Sequence, residues 1–245
     1  DSVEIRNDLD DQAIADGTSA NEVRIAAENT GVRLASINAL QRFNDWTHER
    51  EAEAEFLIGY AAACGAGGLV LVPANDGSGC EDGERQDNLR EALEGLAPLL
   101  EKAQITGLVE PLGFASCSLR LKSEAIEAIN ELGAPGTFKL VHDTFHHHVA
   151  GEAEIYPGLT GLVHISGVSD PDITTADMLD MHRELIDESD RIDNLGQIKA
   201  LAIGGYDGLF SFEPFAKHVH HLDDPVSALR CSIDYIKSRI NRAAA

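Results

Sequence analysis

Short apolar runs rich in β-branched residues alternate along the chain with longer stretches of helical period. Val3–Arg6 is the first run, a helical pattern over Asn21–Asn29 follows it, and Gly31 punctuates before the run Val32–Asn38. Glu49–Cys64 carries Phe56, Ile58, Tyr60 and Ala63 among its apolar positions and predicts a helix, with a strand at Leu69–Pro73. The alternation continues through a helix at Gln86–Ala103, a strand at Ile105–Glu110 and a helix at Ser123–Leu132. Strands at Phe138–His142 and Leu162–Ser166 flank an irregular segment, Ala150–Thr160. Helices at Thr174–Ile186 and Asn194–Ala202, a strand at Leu209–Phe212 and a helix at Pro225–Ile240 complete the pattern. Continuous apolar strands between helices argue for an α/β fold in which helices cover a parallel sheet.

No Gly/Ser-rich or Pro-rich linker divides the chain, so residues 1–245 read as one domain. A doubly wound open sheet would carry a glycine-rich phosphate loop after its first strand. The residues after Val3–Arg6 form no such loop, and neither does Asn75-Asp76-Gly77-Ser78-Gly79. The expected fold is therefore a (β/α)8 TIM barrel. Seven strands are counted rather than eight, and an open barrel would expose sheet edges. The expectation is that the first βα unit is absent from this sequence.

Composition narrows the function. At 245 residues and 43% hydrophobic content the chain can bury a core of barrel size. No apolar stretch approaches the roughly 20 residues that span a bilayer, and the charged opening run Asp1 to Asp11 is unlike a signal peptide. Cys64, Cys80, Cys117 and Cys231 form no C-x-x-C pair, which points to a reduced cytoplasmic protein with scattered thiols. Acidic residues number 42 against 19 basic ones, six of them lysine, for a net charge of −23. Such a surface repels phosphate backbones and argues against nucleic acid as a partner. It suits a salty cytoplasm, where screening relieves self-repulsion.

Four predicted strands end in a residue that can ligate a metal. Glu110 ends Leu108-Val109-Glu110, Asp143 ends Leu140-Val141-His142-Asp143, His164 lies within Leu162-Val163-His164-Ile165, and Glu213 ends Phe210-Ser211-Phe212-Glu213. In a parallel barrel all strand C-termini open on one face, where active sites form. Each residue alone could be a polar strand end satisfied by hydrogen bonds. Four in succession predict a shared cation, because unpaired buried carboxylates are costly. Three oxygen donors and one imidazole suit one divalent ion, Mn²⁺ first, with Mg²⁺, Co²⁺ or Zn²⁺ also accommodated.

Leu108-Val109-Glu110-Pro111-Leu112-Gly113, Val141-His142-Asp143-Thr144-Phe145-His146, His164-Ile165-Ser166-Gly167-Val168 and Ser211-Phe212-Glu213-Pro214-Phe215 resemble the motifs of the xylose-isomerase-like barrel superfamily. Val3-Glu4-Ile5-Arg6-Asn7-Asp8 and Gly205-Tyr206-Asp207-Gly208 extend the likeness over essentially the whole chain. Within the superfamily it is similar to sugar isomerases and epimerases of the 2-keto-myo-inositol isomerase kind. The resemblance implies a metal held by Glu110, Asp143, His164 and Glu213, with Glu110 and Glu213 doubling as the acid/base pair. It implies isomerisation or epimerisation of a keto-polyol or ketose through a cis-enediolate stabilised by the metal as a Lewis acid. His146 matches the family's substrate-contacting histidine and Arg183 an arginine near the substrate oxygens, with Arg191 a competing candidate.

Several positions carry two readings. His147 and His148 extend a histidine run but read better as a solvent-facing loop, and His142 should point toward the helices. Trp46 could stack on a sugar ring at the barrel mouth or cap the next helix. Asn38 and Arg6 end strands on the same rim and are weaker polar-contact candidates. Alternatives within the fold are an inosose dehydratase, a ketose 3-epimerase, an apurinic endonuclease or a barrel without catalysis. The acidic charge disfavours the endonuclease, and the four intact ligand positions disfavour the last. The expected partner is a small sugar or inosose, with no membrane role and with room for a homodimer.

Overall fold

The computed structural model describes residues 1–8, 13–134 and 136–241; residues 9–12, where the charged opening run ends, lie outside the described residues. Among the described residues seven strands form one sheet in the sequential order β1 to β7. The strands are β1 (Ser2–Arg6), β2 (Arg33–Gln41), β3 (Gly68–Val72), β4 (Thr106–Val109), β5 (Phe138–Asp143), β6 (Thr160–Ile165) and β7 (Phe210–Phe212). Parallel pairing in sequential order, with a crossover after each strand, is barrel order; a doubly wound sheet reverses direction at a switch point. No described helix is long and apolar enough to cross a membrane.

The chain condenses into two compact parts, Asp1–Val141 and His142–Ala245. In the first, helices α1 (Ala20–Thr30), α2 (His48–Cys64), α3 (Glu84–Ala103) and α4 (Lys122–Leu132) connect the strands. Ile37, Leu40, Leu69, Val70, Leu71 and Val109 on the strands are buried, and so are Leu57, Ile58, Leu93, Leu96 and Leu100 on the helices. Continuous apolar runs follow from this burial on both faces of the strands. Helix α2 starts at Thr47, whose side chain accepts from the Arg50 amide, and stops at Gly65, where φ of 85° requires a residue without Cβ.

In the second part Val163, Ile165, Ile186, Ile198, Leu201, Tyr206 and Ile236 form the core, joining β6 to α6 (Asn194–Ile203) and α8 (Pro225–Asn241). Two short helices, α5 (Thr144–Ala150) and α7 (Lys217–His220), were not expected from the pattern. His147 and His148 therefore sit in α5, half-buried, rather than in a solvent-facing loop; His148 Nε2 lies 3.3 Å from the Thr175 hydroxyl.

The predicted helix over Thr174–Ile186 does not form. Two 3-10 turns, Thr175–Asp177 and Asp180–His182, take its place, and Gly167 and Glu184 exchange backbone hydrogen bonds of 2.8 Å each. Local polar groups explain the loss. The Thr174 hydroxyl bonds Asp177, and the Leu179 amide donates to His182 Nδ1, offering the backbone an alternative to helix.

Candidate metal centre

β5, β6 and β7 each deliver one donor residue to the same place. Asp143 is the last residue of β5 and the N-cap of α5, with φ −86° and ψ 122°. Its Oδ1 accepts the His146 amide at 2.9 Å, which fixes the carboxylate and directs Oδ2 away from the helix. His164 lies in β6, fully buried, with Nδ1 3.2 Å from Glu213 Oε2 and 4.0 Å from Asp143 Oδ2. Glu213 directly follows β7, and its amide donates to the Ile165 carbonyl at 3.0 Å, which locks the residue beside the end of β6. Donor atoms of Asp143, His164 and Glu213 lie within 4.8 Å of one another. A Glu, Asp and His so placed can bind a divalent ion.

Arg183 completes the electrostatics. It is 1% exposed, and neither a helix nor the surface holds it. Nη2 donates to Asp143 Oδ2 at 2.5 Å and to Glu213 Oε2 at 2.9 Å, Nε donates to the Ser166 hydroxyl at 3.0 Å, and Nη1 donates to Asp180 Oδ1 at 3.2 Å. Three carboxylates thus face one guanidinium, those of Asp143 and Glu213 beside His164 and that of Asp180 more exposed, which leaves an excess of negative charge that a cation can balance. Burial by itself would raise the Asp143 carboxyl, but Arg183 and then His146 outweigh it and hold the group below its ordinary value. His146, 4% exposed, is shifted down, chiefly by burial; Nε2 lies 3.5 Å from Arg183 Nη1.

The remaining candidates separate. Arg191, the rival of Arg183, is exposed and donates to the Asp170 and Ile173 carbonyls, so it staples a loop. His142 is fully buried and pairs through Nε2 with Gln197 Oε1 at 2.9 Å, the structural role expected of it. In the first part of the chain Glu110 directly follows β4 and is 3% exposed. Its amide donates to the Leu71 carbonyl, and the pairing of Val109 with Leu140 puts it level with Val141. Asn38 is buried, and its carbonyl accepts the Asn7 amide. Arg6 donates twice to Asp8, at 3.0 and 2.7 Å. Trp46 is half-buried, with its indole lying where a Cβ on Gly95 of α3 would be, so it packs a helix.

Ser166 and Asp180 escaped the sequence reading. Ser166 stands two residues beyond His164, and period-two alternation puts both on one face, which is the signal that could have found it. Asp180 offered none, because it was assigned to a helix that does not form.

The family model described as xylose isomerase-like TIM barrel matches residues 1–239. No curated protein sequence matches the chain. A crystal structure of a xylose isomerase domain-containing protein from Salmonella typhimurium LT2 is 35% identical, with a TM-score of 0.87 over 98% of this chain and 87% of that one. The IolI protein with a bound zinc atom superposes with a TM-score of 0.87 at 19% identity, over 98% and 89% of the two chains. An L-ribulose 3-epimerase gives 0.73 at 17% identity, over 100% and 86%. The sequential parallel strands agree with a family match that covers nearly the whole chain and with a solved structure 35% identical to it, and the chain belongs to the xylose isomerase-like TIM barrels.

Proposed function

We propose that the chain is a divalent-metal-dependent isomerase or epimerase of a keto-polyol or ketose, with a substrate of the 2-keto-myo-inositol type. The observation that carries the reading is the meeting of buried Asp143 and His164 with half-buried Glu213, donor atoms within 4.8 Å. The fit to a cation rests on charge: two carboxylates share a single guanidinium there. Glu110 is the fourth ligand in this reading, supported by its burial and by its place at the end of β4, the strand that pairs with β5. The zinc of IolI and the epimerase activity named for the L-ribulose enzyme agree with it. Mn²⁺ is the ion proposed, since this mixed oxygen and imidazole set accepts several divalent metals.

A bound divalent ion would supply Lewis-acid stabilisation of negative charge developing on the substrate oxygens. The residues do the rest. The Glu213 side chain is 14% exposed, against 1% for Asp143 and 0% for His164, so it is the member of the three open to substrate. Glu213 takes the proton from the carbinol carbon, leaving an enediolate. Glu110, entering the step protonated, delivers its proton to the opposite face of the same carbon in epimerisation. In isomerisation it protonates the neighbouring carbon while the hydroxyl proton passes to the former carbonyl oxygen, and Glu213 keeps the proton it has taken. His146, whose pKa burial lowers, can donate to or accept from the reacting hydroxyl through its ring nitrogens.

Incubating the Mn²⁺-loaded protein with inososes and ketoses in D₂O tests the proposal. Deuterium should enter the carbon next to the carbonyl of a substrate, and Glu213→Gln should slow that exchange about 100-fold or more with the fold retained. Protein shown to carry metal that exchanges no substrate in the panel would refute it.

A further inference from the structure

The second part of the chain carries a cation of its own inside the ligand cluster. We infer that Arg183 is a positioning residue and the cluster's resident counter-ion. Its Nη2 spans Asp143 Oδ2 and Glu213 Oε2, sets their spacing, and keeps this part of the chain folded whether or not a divalent ion is bound. The inference deepens the metal-site reading above and depends on it only in the final arm of the test.

Three observations carry it. The first is that Arg183 contacts the same two carboxylates that face His164, at 2.5 and 2.9 Å, and does so at 1% exposure. A buried carboxylate without a partner is strongly destabilising, so the guanidinium is what makes the pair tolerable.

The second is orientation. Nε is tied to the Ser166 hydroxyl, and Cζ lies 5.2 Å from the Phe145 ring centre and 4.8 Å from that of Phe215. These contacts fix the plane of the fork, which the planar guanidinium can exploit and an ammonium cannot. The third is the main chain. The Arg183 carbonyl accepts the Phe215 and Ala216 amides at 3.0 and 2.8 Å, so backbone and side chain both attach this loop to the segment that carries Glu213.

Thermal unfolding of the full chain in EDTA tests the inference, using wild type, Arg183→Met, Arg183→Lys, Asp143→Asn and the double variant Asp143→Asn/Arg183→Met. Asn at position 143 still caps α5, so it removes charge while keeping the helix start. Arg183→Met should lower Tm on the order of 10 °C, and adding Asp143→Asn should restore at least part of that loss. Arg183→Lys should fall between wild type and Arg183→Met. Equal Tm values for wild type and Arg183→Met, or no recovery in the double variant, overturn the inference. Should Arg183→Met fail to fold, the same cycle built on Arg183→Lys reads the coupling to Asp143. Mn²⁺ should then raise the Tm of Arg183→Met more than that of wild type; a smaller rise counts against the inference. Mn²⁺ that raises no Tm overturns the metal reading, while the EDTA comparison still decides the role of Arg183.

Discussion

A guanidinium buried to 1% exposure needs partners for its N–H groups, and Arg183 finds them at Ser166, Asp180, Asp143 and Glu213, between 3 and 40 positions away in sequence. That dispersal explains why the residue was only half legible. Its type and motif drew attention to it, but whether it met solvent, substrate or carboxylates depended on long-range packing. The cysteines give a simpler test at this scale. Cys64 and Cys117 are buried, with the Cys117 thiol pushed up to about 11 by desolvation, whereas Cys231 is exposed. A thiol reagent at pH 8 should label Cys231 in the native protein and reach Cys64 and Cys117 only on unfolding, as peptide mapping would report. Early labelling of Cys117 would contradict the burial described for it.

Among the elements, strands and long helices were legible because period and length agree there. Glu49–Cys64 was expected as a helix and α2 runs His48–Cys64; Phe138–His142 was expected as a strand and β5 runs Phe138–Asp143. The segment from 174 to 186 was not, since its buried residues Met178, Arg183 and Ile186 serve a loop held by local polar bonds. α5 escaped notice because its start depends on the Asp143 side chain capping seven residues too few to show a period. The places of Glu110, Asp143 and Glu213 at strand ends were readable, whereas the packing of the Trp46 indole against Gly95 of α3 was not, because it joins residues far apart in sequence. Gly95→Ala would force a Cβ into that ring and should destabilise the protein by about 1–3 kcal/mol in urea unfolding. An unchanged midpoint would mean that α3 and Trp46 separate without strain.

For the molecule as a whole, the charge of −23 is a standing repulsion that added salt should relieve. The Debye length falls from about 30 Å at 0.01 M to about 3 Å at 1 M ionic strength. Tm should accordingly rise with KCl over that range, and a Tm that falls would show that ion pairs such as Arg42 with Asp76 outweigh the net repulsion.

The paired amides of Gly167 and Glu184 have a consequence for how such a protein can be rebuilt. They pinch residues 168–183 into a loop whose ends are fixed, with Arg183 anchored at one foot and residues 170–172 out in solvent. A loop closed at its base can be lengthened, shortened or exchanged at small entropic cost, because doubling its length adds only about 0.6 kcal/mol. Variation in that excursion is thereby uncoupled from the charge balance below it. Loop grafting between positions 170 and 177 should therefore leave the bonds of Arg183 to Asp143 and Glu213 in place.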